Sequence, residues 1–79
     1  MSPGIGVMDR RLKPEKDAIS LATSGILKEY KTDSKEIKTL ETKYDDDAGD
    51  WYVALGWEAK RAIVKMDSVL AKITEIKEI

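Results

Sequence analysis

The side chains able to do chemistry are few in this chain, and their spacing limits what they can do. Asp45, Asp46, Asp47 and Asp50 form the one concentration of hard-cation ligands. Calcium needs about six to eight oxygens on a preformed frame, with oxygen ligands at the first, third and fifth positions of an EF-hand loop. Counted from Asp45 the fifth position is Gly49, so that motif fails. A solvated hairpin loop, kept open by like charges, is the plain reading of the cluster. Weak divalent-cation binding by the same four carboxylates is the alternative. Histidine and cysteine are both absent, which removes the usual general base near neutral pH, thiol catalysis and thiolate-bound zinc. Ser2, Ser20, Ser24, Ser34 and Ser68 have no partner to activate them. Gly4 and Gly6 precede no Walker lysine. No pair of carboxylates or lysines has a spacing that predicts convergence. The residues argue against an enzyme and imply no cofactor.

Two other clusters invite a functional reading. Arg10, Arg11, Lys13 and Lys16 make a small basic patch, but Glu15 and Asp17 dilute it. Nucleic-acid binding needs more phosphate contacts and stacking aromatics on the same face. The overall charge of −1, from 14 basic and 15 acidic residues, supplies no field to recruit a polyanion or a membrane. Trp51 and Trp57 could form a stacking platform. Their shared register with Val53 and Leu55 makes them core instead, each able to bury on the order of 200 Å². The opposite face of that strand, Tyr52, Ala54 and Gly56, is flat and weakly apolar. It is the candidate contact surface for a protein partner or a second copy.

The elements that must position these residues follow from periodicity. Ala18, Ile19, Ala22, Ile26 and Tyr30 recur at helical spacing after Pro14, with Glu15 and Asp17 where the helix dipole favours them. This predicts a helix from Pro14 to about Tyr30. Ile37, Leu40, Thr42 and Tyr44 predict a strand whose alternation slips by one between Ile37 and Leu40, as a β-bulge would make it. The acids and Gly49 supply turn chemistry. Trp51, Val53, Leu55 and Trp57 then alternate with smaller or polar residues as a strand with one strongly apolar face. A third strand runs from about Arg61 to Met66, with Ala62, Val64 and Met66 on one side and Ile63 on the other. The C-terminal segment has two readings. Val69, Leu70, Ile73 and Ile76 sit at helical spacing behind Asp67 or Ser68 as an N-cap. β-Branched Ile73, Ile76 and Ile79 suit a strand instead. Periodicity alone favours the helix.

The order of elements resembles PepSY-type domains. Leu12-Lys-Pro-Glu-Lys-Asp-Ala18, with Ala22 one turn later, is similar to that family's helix opening. Tyr44-Asp-Asp-Asp-Ala-Gly-Asp-Trp-Tyr-Val53 stands where the family has a strand, an acidic-Gly turn and a strand opened by an aromatic pair. Val64-Lys-Met-Asp67-Ser-Val-Leu-Ala71-Lys72-Ile73 matches the register of its Asp, Lys and Ile, with Ala71 in place of the family's Gly. The resemblance covers about residues 12–76. It implies a turn and a short final strand, and a contact role of the protease-inhibiting or chaperoning kind.

The expected class is α+β: an N-terminal helix packed on a three- to four-stranded antiparallel sheet, ending in a strand or a second helix. Residues 1–11 read as a flexible arm, because Pro3, Gly4 and Gly6 leave no periodic apolar face. Residues 12–79 read as a single domain. With 79 residues, its core is small. No segment has the roughly 18 apolar residues of a membrane span. The first eight residues are too short and broken for a signal-peptide core. The chain is therefore expected in the cytoplasm, or outside it if a signal sequence has been removed. The expected function is a small non-enzymatic binding or regulatory module acting by protein contact. A structural homo-oligomer, for instance a homodimer, and a weak cation-binding domain are the rivals.

Overall fold

The computed structural model describes residues 11–79; the expected arm at 1–11, Arg11 excepted, lies outside them. One helix, α1 (Glu15–Tyr30), is followed by a short 3-10 turn (Ser34–Glu36) and four strands: β1 (Lys38–Asp45), β2 (Asp50–Trp57), β3 (Lys60–Asp67) and β4 (Lys72–Glu78). The strands pair antiparallel in chain order, an α+β arrangement whose hairpins bring sequence neighbours together. No helix among the described residues is long and apolar enough to cross a membrane.

Pro14 caps α1 from the extended region, and its carbonyl accepts from the N–H groups of Asp17 and Ala18 at 3.1 and 3.3 Å. At the other end Lys31 adopts left-handed φ, 52°, and donates its N–H to Leu27 O. Ala18, Ala22 and Ile26 are fully buried beneath the helix, against a sheet face built from Trp51, Val53, Leu55, Trp57, Val64 and Met66. Small residues at 18 and 22 bring the helix backbone close to this face. Gly25 does the same over β4: a Cβ there would collide with Ile73 Cδ1 and lie 3.5 Å from Ile76 Cδ1. A residue that weakens the helix by up to about 1 kcal/mol relative to Ala thus gives α1 room over the last strand.

The C-terminal segment is a strand, so the two-helix alternative is corrected. The cause is a bulge. Lys65 pairs with Glu75 but Met66 pairs with Ile73, which leaves Thr74 as the extra residue, and its hydroxyl donates back to Lys65 O at 3.2 Å. The insertion puts Ile73 and Ile76 on the same sheet face although they are three apart, which imitates helical spacing. Asp67, read as a helix cap, instead caps a turn.

That turn is built like the acidic one. Asp45 Oδ1 accepts from the N–H groups of Asp47 and Ala48, and Asp45 O accepts from Gly49 N–H at 2.8 Å. Asp67 Oδ1 accepts from Val69 and Leu70 N–H, and Asp67 O accepts from Ala71 N–H at 2.8 Å. Each loop closes with a left-handed residue, Gly49 at φ 73° and Ala71 at φ 55°. Gly takes this conformation freely, whereas Ala carries the steric penalty of its Cβ. Part of the relief is offset by the greater freedom of Gly in the unfolded chain. Ala71→Gly is therefore expected to stabilise the protein by about 0.5–1 kcal/mol. A urea titration checks it, and a destabilised variant would contradict the turn geometry.

Ser68 ties the two loops to the chain that leads into α1. It is fully buried, and its hydroxyl donates to Gly49 O at 2.7 Å while its own N–H donates to the same carbonyl at 3.0 Å. Leu12 N–H donates to Ser68 O, and Leu12 O accepts from Trp51 Nε1–H at 2.8 Å. Leu12 is thereby buried as part of the packed unit.

Candidate contact face

Among the described residues a single helix covers one face of the sheet and none covers the other. On β2 the covered residues Trp51, Val53, Leu55 and Trp57 alternate with half-buried Tyr52, Ala54 and Gly56, as the alternation required. These three expected contact residues therefore lie on the opposite, open face. Register adds their neighbours. Tyr52 lies between Lys43 on β1 and Lys65 on β3, and Ala54 between Glu41 and Ile63. Ile63 was legible as facing away from Ala62, Val64 and Met66.

Leu40 was not. It falls at the β1 irregularity, between Thr39 paired with Leu55 and Glu41 paired with Ala54. Its methyl groups cover Gly56 instead of joining the core: Leu40 Cδ1 is 3.2 Å from where a Gly56 Cβ would sit. The side chain remains 52% exposed. The slip between Ile37 and Leu40 was the available signal, but not the face to which it would send the leucine.

An open groove of about 710 Å³ runs along this face past Tyr52, Ala54 and Ile63, with Glu41 and Lys43 on one bank and the acidic loop at its end. Its apolar floor and mixed-charge rim suit a polypeptide surface better than a small molecule, which favours deeper enclosure. Asp50 reaches Lys65 at 3.9 Å across the face, a part-exposed pair worth at most about 1 kcal/mol.

The structure disperses the four acids singled out as cation ligands. Asp45 spends one oxygen on its own turn, Asp50 turns to Lys65, and Asp46 and Asp47 stand exposed on the loop. Among the described residues, no three carboxylates come together in a way that could hold a metal ion. Arg11, Lys13 and Lys16 are exposed, and Arg10 lies outside the described residues.

Apart from Tyr52, the aromatic residues serve the core. Tyr30 packs on Trp57 with ring centroids 5.0 Å apart, and Tyr44 on Trp51 at 4.9 Å, both tilted. Loss of water around the Tyr30 phenol, followed by the nearby Glu78 and Glu29 carboxylates, raises its pKa. The neutral phenol is the form this packing favours. Compared with protein-family models, curated proteins and solved structures, the chain matches none of them.

Proposed function

We propose that this protein is a small non-enzymatic module that works by protein contact through the open sheet face, with Tyr52 and Ala54 at its centre and Gly56, under Leu40, at its end. The observation that carries the reading is the one-sided sheet: α1 covers one face, and the other presents half-buried apolar residues across β2 and β3, with a charged rim. Such a patch gains by desolvation against a partner, while its rim charges set orientation. The PepSY resemblance supports the reading by suggesting the kind of contact, inhibition or chaperoning of a protease. It makes a protease the first partner to look for.

Affinity capture from the source lysate tests this, with the parent chain beside a Tyr52→Glu/Ala54→Arg double variant. Circular dichroism establishes that both are folded. A partner retained by the parent should bind the variant at least about tenfold more weakly, because the ring and the small apolar surface it would meet are replaced by longer charged side chains that must be desolvated on binding. A partner held equally by both places the contact elsewhere. Recovery of the bait alone counts against the reading.

A further inference from the structure

We propose that two copies of this chain pair through the outer edge of β4, with Ile76 of each copy opposite Ile76 of the other. β4 ends the sheet among the described residues, and none of them pairs with the outer side of its backbone. In an antiparallel ladder, alternate residues turn both backbone groups toward the same neighbour. Ile79 N–H donates to Arg61 O at 2.8 Å. With the regular register from Glu75 to Glu78, this turns the backbone of residues 75, 77 and 79 toward β3. It turns that of Ile76 and Glu78 outward.

Charged residues on an edge strand ordinarily block pairing with another chain. On β4 their spacing makes the edge complementary to itself. Glu75 pairs with Lys65 and Lys77 with Ile63, so both stand on the open face; Ile76 pairs with Val64 on the helix side and is half-buried. A two-fold axis through Ile76 perpendicular to the sheet sets Glu75 of each copy against Lys77 of the other. It also places the two Ile76 side chains against one another and pairs their outward N–H and C=O groups. Shifting the axis to Glu75 or Lys77 would oppose like charges directly, which is destabilising. The Thr74 bulge confines regular pairing to the residues that follow it.

The opposite edge repeats the spacing with Glu41, Thr42 and Lys43, but its central residue is polar. The apolar Ile76 is what favours β4. The joined sheet would have both open faces on the same side, so the proposed contact surface would be displayed twice in one plane.

The test is the mass in solution by sedimentation up to about 1 mM, because a short edge pairing covers less than the roughly 800 Å² per partner of a tight complex. The parent should rise with concentration toward twice its 8.9 kDa. Glu75→Lys and Lys77→Glu, each checked as folded by circular dichroism, should stay monomeric alone and associate when mixed, since only the mixed pair restores both opposite-charge contacts. Glu41→Lys and Tyr52→Glu/Ala54→Arg should behave as the parent does. A parent that stays at the mass of one chain overturns the proposal. So does association that survives the single β4 reversals or is lost with Glu41→Lys or the sheet-face variant. Because no other protein is present, this result stands apart from the capture experiment.

Discussion

Trp57→Ala is expected to lower the unfolding free energy by about 3–5 kcal/mol. The ring is 3% exposed at the end of β2, on the helix-covered face. Truncation removes its buried area and leaves a cavity that the fixed strand backbone fills only in part. It also strips Tyr30 of its ring partner, a contact worth about 0.5–1.5 kcal/mol beyond its area. The whole domain is expected to have only about 4–12 kcal/mol, at roughly 0.05–0.15 kcal/mol per residue. The variant should therefore be largely unfolded or at the edge of it. Urea denaturation followed by far-ultraviolet dichroism gives the answer. A loss below about 1 kcal/mol would mean that the ring is not part of the core.

The second large effect is expected from the helix. Ile26 is among the largest fully buried side chains, and Ile26→Ala should cost about 2–5 kcal/mol, less a few tenths returned by the better helix propensity of Ala. The next residue provides the internal control. Leu27 is only half-buried, so Leu27→Ala should lose clearly less for a comparable deletion. Comparable losses at 26 and 27 would show that α1 is rotated from the orientation in which Ala18, Ala22 and Ile26 meet the sheet. Because α1 is, among the described residues, the single layer over this face, the ratio of the two losses reports on its docking more directly than either value alone.

Much of the fold was legible in the residues because local periodicity and burial agreed. The expected helix from Pro14 to Tyr30 differs from α1 only in that Pro14 is the cap. The alternation from Trp51 to Trp57 set which face of β2 is core, and hence where Tyr52, Ala54 and Gly56 lie. In the last segment the two cues disagreed. Ile73 and Ile76 share a face because Thr74 is inserted between them, and one inserted residue turns a strand's period of two into a spacing of three. Asp67 added to the ambiguity, since a carboxylate accepting backbone N–H groups two and three residues ahead serves a hairpin turn as readily as a helix start.

The sequence by itself determined the α+β class, the helix and the apolar face of the central strand, because each is encoded by side chains close together along the chain. Only the tertiary structure decided the fate of the bulged segments. Ile73 and Ile76 form a strand edge under Gly25 of the helix, and Leu40 crosses to the open face over Gly56. Both outcomes depend on partners many residues away, whose burial and backbone pairing outweigh the local spacing. The same holds for Ser68, which lies in a loop yet is buried because its hydroxyl and N–H both meet the carbonyl of Gly49 in the other loop.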